Sequence, residues 1–186
     1  YRIMIFKTVS AAPKILMLRV AVIGIVAFVM AVTGAVLWLR TSLPGLSETI
    51  RITGLERAVE IIHDRNGTPH IRATSTDDAY AALGFIHARD RLFQMDFMRR
   101  LGAGRLSEVI GSPTLGLDRT MRTLGVHRLA GETFRRLPPD ARKAVRAYTD
   151  GVNAFLDSRS GALPPEFVLL RYSPERWTVS DSLVWG

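Results

Sequence analysis

The sequence contains no cysteine, and this absence excludes several kinds of chemistry at once. Disulfide bonds, a catalytic thiol and cysteine-ligated zinc are all ruled out for these 186 residues. Lysine is also scarce, since only Lys7, Lys14 and Lys143 stand among the 25 basic residues. We treat this bias as a property of the genome and draw no functional conclusion from it. The lack of cysteine is compatible with an exported protein but does not demonstrate one.

Sequence motifs that carry catalytic chemistry are missing as well. There is no G-x-S-x-G nucleophile elbow, no glycine-rich phosphate loop, no H-E-x-x-H zinc motif and no EF-hand loop. Gly102 and Gly104 stand close together, but they do not follow a strand, which argues against a dinucleotide site. His87 lies one residue beyond an apolar helical stripe, and packing or a hydrogen bond explains it better than ligation. The residues alone therefore assign no catalytic, substrate-binding or metal-binding position.

The first forty residues are typical of a membrane segment. Four basic residues precede Val20, and the 20 residues from Val20 to Leu39 carry no charge. A helix of that length spans about 30 Å, the thickness of a bilayer core. The basic flank is expected to stay in the cytoplasm, which predicts a single-pass signal anchor in residues 1–40 with residues 16–39 in the inner membrane. The domain that follows is then expected in the periplasm or outside the cell. Cleavage near Thr33-Gly34-Ala35, which would release a soluble periplasmic protein, is the alternative.

The formal net charge of +8 comes mostly from this segment. Residues 1–40 hold five basic residues and no acid, so the remaining 146 residues carry only +3. That part has no basic stripe with interleaved aromatic residues, so we expect no nucleic-acid partner. The five arginines between Arg119 and Arg136 are better explained as a solvated or ion-paired face than as an anion site.

A β-hairpin is predicted after a short linker at residues 41–48, which contain proline and glycine. Asn66-Gly67 favours a tight turn, because glycine and asparagine tolerate positive φ. Gly67 is therefore a structural candidate. Alternation and β-branched residues predict three short strands, at 49–53, 59–63 and 69–73.

Two histidines, His63 and His70, stand on opposite sides of this turn. A pair of histidines suggests a metal site, but no third ligand is apparent. The two strands are also able to place them on different faces. Polar or capping roles are therefore preferred.

One long helix is predicted to begin at Ser75 or Thr76 and to run to about Arg100, where Gly102 and Gly104 break it. Asp90 falls at the centre of its apolar face. A buried carboxylate needs a partner, and neighbouring helical positions do not face each other. We therefore expect a distant arginine or backbone N–H groups to hold Asp90 as a structural anchor. The alternative is that Asp90 is a catalytic acid or base, but the sequence places no nucleophile near it. The apolar face itself comprises Ala79, Leu83, Ile86, Phe93 and Phe97.

Further helices follow, with glycine and proline at their ends. Thr178 and Asp181 have the spacing of a capping box, so a helix should begin there, and the sequence then stops within two turns. We therefore expect a fragment, or part of a precursor. The other apolar or helical stretches lie at 105–110, at 117–137 with a bend near Gly125, from Pro138-Pro139-Asp140 to about Ser158, and at 166–170.

Four stretches in this order resemble the start of the penicillin acylase (penicillin amidase) family of N-terminal nucleophile hydrolases. The resemblance covers residues 59–186, and its most specific part is D-R-L-F-Q-M, which places Arg91 beside Asp90. The Pro-Glu-x-Trp-Thr-x-x-Asp turn around Trp177 supports it independently. The stretches are VEIIHDRNGTPHIRA, AYAALGFIHARDRLFQMDFMRRLGAGRLSEVIG, AYTDGVNAFLD and LPPEFVLLRYSPERWTVSDSLVWG.

This resemblance implies an α+β fold in which residues 49–186 are the N-terminal, mainly helical part of an incomplete αββα sandwich. It implies an exported precursor that cleaves itself into an α chain and a longer β chain. The β chain would supply the serine nucleophile, whose own α-amino group is the base, and the oxyanion hole. The substrate would be a small N-acyl compound, such as a β-lactam or an acyl-homoserine lactone.

The family's pocket residues and a calcium ligand follow the position of Gly186, so no catalytic, substrate or metal residue and no cofactor is assigned within the sequence. Calcium is implied only for the complete protein. Asp90, Arg91, Gly67 and Trp177 are scaffold residues in this interpretation. A membrane-anchored periplasmic module that binds without catalysis, or a degenerate family member, is the alternative.

Overall fold

The computed structural model describes residues 12–41, 49, 54–159 and 161–185. The chain divides into two compact units, Tyr1–Thr41 and Ser42–Gly186. Most of the predicted linker at 41–48 and of the predicted strand at 49–53 lies outside the described residues.

The first unit holds one helix, α1 (Ala12–Thr41). Its stretch Leu16–Thr41 has a mean hydropathy of 2.7 and is long and apolar enough to cross a membrane. A signal sequence near an N-terminus has the same length and composition. The helix therefore agrees with both interpretations of residues 1–40 without choosing between them.

The second unit is mainly helical and contains a single two-stranded sheet among the described residues. Its elements in chain order are β1 (Glu60–His63), β2 (Pro69–Arg72), α2 (Thr76–Ala103), α3 (Ser107–Ile110), a 3₁₀ turn (Ser112–Thr114), α4 (Leu115–Leu124), α5 (Val126–Arg136), α6 (Pro139–Ser158), α7 (Pro165–Leu169) and α8 (Val179–Leu183).

The β-hairpin is present, with His63 paired to Pro69 in an antiparallel register. Its loop has five residues rather than the tight turn expected, because the Asp64 carboxylate accepts bonds from the backbone N–H of Asn66 (2.8 Å) and of Thr68 (2.9 Å). Gly67 has φ +78° in this loop, a conformation that favours glycine. The register places His63 and His70 on opposite faces of the hairpin.

Helix α2 begins where the sequence predicts. The hydroxyl of Ser75 accepts a bond from the backbone N–H of Asp78, 3.1 Å away. The helix continues past the predicted end, because Gly102 packs against Val184 and remains helical. It ends at Gly104, which has φ +63°.

Helix α2 is also kinked, which the sequence does not predict. Arg91 has φ −142° and ψ 31°, outside the helical region, so the two halves of α2 are offset around the axis. Of the five apolar residues predicted to face the core, only Ile86 is fully buried. The residues of α2 buried along with it include Ala81, Ala82, Phe85, Ala88, Leu92 and Asp96.

The core forms where α2 crosses α6. A Cβ atom at Gly84 would collide with the backbone carbonyl of Tyr148, and one at Gly151 would collide with that of Ala81. The two backbones therefore touch at this crossing, which only glycine permits on both helices. The central cluster beside it comprises Ala88, Leu92, Val152, Phe167 and Trp177.

The remaining helices begin or end at the glycine, proline and capping residues that the sequence predicts as their boundaries. Gly125 separates α4 from α5 with φ +67°. Pro139 is the first residue of α6. Thr178 and Asp181 form the predicted capping box at α8, each bonding to the other's backbone N–H. The short helix α7 ends at Leu169, and Arg171, two residues later, has φ 56° although it is not glycine.

Candidate functional site

The expected role of Asp90 as a buried anchor with a distant partner is wrong. Its side chain is 34% exposed, and it accepts a bond of 2.9 Å from Nε of the adjacent Arg89. The expectation assumed regular helical geometry, in which neighbouring side chains diverge. The kink begins at the next residue, Arg91, and Asp90 is turned toward solvent rather than into the apolar face.

The buried carboxylate of α2 is Asp96, which is 1% exposed. It accepts bonds from the guanidinium of Arg99 and from Nε of Arg100 (2.9 Å). Both arginines are themselves buried, at 6% and 4% exposure. The i+3 and i+4 spacing of Asp96, Arg99 and Arg100 is a sequence signal that could have identified this group.

Arg99 links α2 to residues near the other end of the chain. It donates to the backbone carbonyls of Glu175 and Arg176, each 3.0 Å away. Its guanidinium also lies over the ring of Trp177, 5.2 Å from the centroid, and 3.7 Å from a carboxylate oxygen of Asp181. We call Asp96, Arg99, Arg100, Glu175 and Asp181 the arginine–carboxylate cluster.

The outer part of this cluster is an ion-pair network at the surface. Arg105 donates to both Glu108 (2.8 Å) and Glu175 (2.8 Å), and Arg100 donates to the same two carboxylates. Hydrogen bonds from Arg105, with the nearby arginine charges, lower the pKa of Glu175 to about 2. The pKa of Glu108 is lowered for the same reason. Both groups are therefore carboxylates at neutral pH.

Trp177 is fixed in the core by polar contacts as well as packing. Its backbone N–H donates to the Asn153 side chain (2.8 Å), whose amide donates back to the Trp177 carbonyl (2.9 Å). Its indole N–H donates to Ser182, 2.9 Å away. These contacts join α6, the turn before α8 and α8 itself.

Two grooves flank the kink of α2, with volumes of about 720 and 300 Å³. Both are lined by His87, Arg91 and Gln94. His87 makes the hydrogen bond expected of it, with Nδ1 3.0 Å from the hydroxyl of Tyr148. Burial, and then the charge of Arg91, lower the pKa of His87, so the imidazole is neutral at pH 7. Arg91 donates to the Gln94 side chain, 3.2 Å away.

These groups do not form a catalytic site by themselves. Within the described part of the chain, no serine hydroxyl is bonded to a histidine that would activate it. No group of three histidine or acidic side chains there is arranged to hold a metal ion. His63 lies beside Arg89 and His70 beside Asp64, so the two histidines do not meet. The arrangement is suited to holding helices and turns in place.

Comparisons with known proteins identify the scaffold. The family model for penicillin amidase matches residues 58–186. The chain is 44% identical over 139 residues to penicillin acylase 2 proenzyme of Pseudomonas sp. (strain SE83), covering 75% of this chain and 18% of that protein. It is 36% identical over 165 residues to acyl-homoserine lactone acylase QuiP of Pseudomonas fluorescens (strain Pf0-1), covering 88% of this chain and 20% of that protein.

The fold is similar to that of a solved acylase structure. The thermostable penicillin G acylase from Alcaligenes faecalis matches with a TM-score of 0.63 and 33% identity, over 69% of this chain and 70% of that chain. The chain spans about a fifth of the length of the curated relatives that it matches. Because the family model covers most of the chain and every predicted motif stretch, the chain belongs to the penicillin amidase family.

Proposed function

We propose that this chain is the N-terminal part of an amide hydrolase precursor that cleaves linear N-acyl bonds. The observation that carries the proposal is the penicillin amidase match over residues 58–186. Its relatives are named as acylases of penicillin and of acyl-homoserine lactones, and both names describe cleavage of an acyl amide. The nucleophile is an N-terminal serine of a second chain, with its own α-amino group as the base.

Processing into two chains is supported by the lengths of the relatives. The matched stretch covers 18% of the Pseudomonas proenzyme but 70% of the chain in the Alcaligenes structure. The solved chain is therefore several times shorter than the proenzyme, as a chain cut from a precursor would be. In this protein the described residues form part of the short chain of an αββα sandwich, and the longer chain carries the reacting groups.

The residues present here act as a scaffold for that chemistry. Arg99 and Asp96 hold the turn before α8 against α2, and the contacts of Trp177 with Asn153 fix the same turn to α6. An oxyanion hole functions only when its donors are preorganised within a fraction of an ångström. Rigid packing of the described residues serves that need without any of them contacting the substrate. Among the described residues no three acidic or histidine side chains are arranged to hold a metal ion, so no step is assigned to calcium.

Expression of the complete gene tests the proposal. We expect intact-mass measurement and N-terminal sequencing to find two chains, the longer beginning with serine, and the purified protein to release a carboxylic acid from N-acyl substrates. Replacing that serine with alanine is the matched control and should leave one uncleaved polypeptide. A wild-type protein that stays uncleaved and inactive would contradict the proposal and favour a non-catalytic binding module.

A further inference from the structure

The loop of the β-hairpin contains a dipeptide that can react with itself. The sequence has two asparagines, Asn66 and Asn153, and only Asn66 precedes a glycine. When the backbone nitrogen of Gly67 attacks the side-chain carbonyl carbon of Asn66, a five-membered succinimide ring forms. Glycine favours this attack, because it has no Cβ to shield its nitrogen. The loop is therefore a candidate site of covalent modification that needs no enzyme.

The two asparagines differ in how firmly their side-chain amides are held. Within the described part of the chain, the amide of Asn66 has no hydrogen bond. A Cβ atom at Gly67 would have no described atom within 4 Å apart from its neighbours in the chain, so there is room beside the attacking nitrogen. Asn153 is 9% exposed, and its amide both donates to and accepts from the backbone of Trp177. Asn153 is therefore the internal reference for Asn66.

Asp64 holds the backbone of the reacting dipeptide in place. Its Oδ1 accepts bonds from the backbone N–H of Asn66 and of Thr68, on either side of the Asn66–Gly67 peptide bond. Its backbone carbonyl accepts the N–H of Gly67 itself, 3.0 Å away. The bonds from Thr68 and Asn66 lower the pKa of Asp64, so its side chain is a carboxylate at neutral pH. While the loop is closed, the nitrogen that must lose its proton is therefore held by a hydrogen bond.

We propose that Asn66 is a site of spontaneous succinimide formation, and that the hydrogen bonds of Asp64 set the rate of the reaction. A hydroxide ion takes the proton of the Gly67 N–H. The nitrogen then forms a bond to Cγ of Asn66, the bond from Cγ to Nδ2 breaks, and Nδ2 takes a proton from water and leaves as ammonia. Water opens the ring at either of its two carbonyl carbons, and the products are aspartate and isoaspartate.

The products disturb the loop in which they form. Isoaspartate carries the backbone through Cβ and Cγ and so lengthens it by one methylene between the two N–H groups that converge on Asp64. Both products also place a second carboxylate close to that of Asp64, and like charges repel. The end of the hairpin at which His63 pairs with Pro69 adjoins this loop and loses the bonds that close it.

Peptide mapping of the full-length protein, kept at mildly alkaline pH either folded or in urea, tests the proposal. Mass spectrometry follows the loss of ammonia and the isoaspartate isomer at Asn66, with Asn153 as the reference. We expect conversion at Asn66 and none at Asn153 in the folded protein. Conversion at Asn66 should be about tenfold faster in urea, the size expected when a hydrogen bond to a charged group must break first. A folded protein that stays unmodified after the urea sample has fully converted would overturn the site, and equal rates would overturn its control by the loop.

Variants of the loop test the role of Asp64 in the folded protein. Asp64→Ala should convert about tenfold faster than wild type, because the two bonds to Oδ1 are lost. Arg65→Ala is the matched control and should convert at the wild-type rate, since the Arg65 side chain has no bond among the described residues. Equal rates for Asp64→Ala and Arg65→Ala would overturn the role of Asp64.

A third variant tests the attacking atom and does not depend on folding. In urea, Gly67→Ala should convert more slowly than wild type, because its methyl group shields the backbone nitrogen. A rate equal to that of wild type would overturn attack by this nitrogen. If Asp64→Ala does not fold, the comparison of folded and urea-treated wild type still decides whether the closed loop restrains Asn66.

Discussion

Two carboxylates on helix α2 differ in burial far more than their sequence neighbourhoods suggest. Asp90 and Asp96 each have an arginine within three positions, yet the Asp90 side chain is 34% exposed and Asp96 is 1% exposed. Burial makes the pairing of Asp96 essential, because the low-dielectric interior penalises any unpaired charge. Asp90 can be solvated by water whether or not Arg89 is near it.

Replacing these two carboxylates should therefore have very different effects. Asp96→Asn leaves Arg99 and Arg100 buried without their main counter-charge, and we expect a loss of about 3–5 kcal/mol in the free energy of unfolding. Asp90→Asn is the matched control and should cost about 0–1 kcal/mol, as exposed ion pairs do. Urea denaturation of the full-length protein measures both. If Asp90→Asn lowers the free energy of unfolding as much as Asp96→Asn does, the assignment of Asp96 as the buried anchor is wrong.

The network around Glu175 predicts a pH dependence of stability. Its pKa is lowered from 4.5 to about 2 in the folded protein, first by the hydrogen bond from Arg105. A folded-state pKa below the unfolded value stabilises the fold above pH 4.5, and that stabilisation is lost as the pH falls toward 2.

Glu175→Gln should accordingly be less stable than wild type at pH 7, and the difference should shrink at pH 3. The side chain is 49% exposed, so solvent screening keeps the effect small. Glu166→Gln is the control, since no ion pair of Glu166 is found among the described residues. Denaturation midpoints of wild type and of both variants at pH 7 and pH 3 measure these differences. If the stability difference between Glu175→Gln and wild type grows on acidification, the predicted direction of the pH dependence is wrong.

At the scale of the elements, the crossing of α2 and α6 depends on the absence of side chains. Any Cβ at Gly151 meets the backbone of Ala81, which cannot move without displacing the helix. We expect Gly151→Ala to lower stability by about 1–3 kcal/mol or more through overpacking. Gly116→Ala in α4 is the matched control, because nothing lies within 4 Å of its Cβ position. The control should be neutral or stabilising, by up to about 1 kcal/mol. Thermal unfolding of both variants measures the difference, and equal effects would contradict the close crossing.

The end of α7 is strained in a way that one substitution can relieve. Arg171 adopts φ 56°, where a side chain costs about 1–2 kcal/mol relative to glycine. Arg171→Gly should therefore raise the melting temperature, with the unfolded-state entropy of glycine offsetting part of the gain. Arg65→Gly serves as the control, because Arg65 lacks a positive φ, and it should not stabilise the protein. A lower melting temperature for Arg171→Gly would show that the αL conformation is not a source of strain.

At the scale of the whole molecule, the location of the protein depends on the fate of α1. An uncleaved anchor keeps the mature protein in the membrane fraction through a wash at high salt, since salt weakens charge contacts but not hydrophobic insertion. We expect that result, together with a mass that includes residues 16–39. Release of a protein whose N-terminus lies near Val36 would instead establish cleavage and a soluble periplasmic form. Replacing residues 1–40 with a cleavable signal peptide provides the reference for the released state.

The sequence by itself determined those features whose signals are complete within a few residues. The Ser75 cap, the break at Gly125 and the capping box of Thr178 and Asp181 all appear where they were predicted, because each is closed by hydrogen bonds within one helical turn. The ordered motifs determined the family for a similar reason, since they are read directly from the chain.

Only the tertiary structure decided which of two carboxylates is buried and where α2 bends. Asp96 is buried because Arg99 reaches carbonyl groups more than 70 residues away, and the close crossing depends on Gly84 meeting a backbone on α6. The kink at Arg91 then turned the predicted apolar face away from its expected direction. Helical period specifies which residues share a face only while the helix is regular, and it cannot specify which face its distant partners will cover.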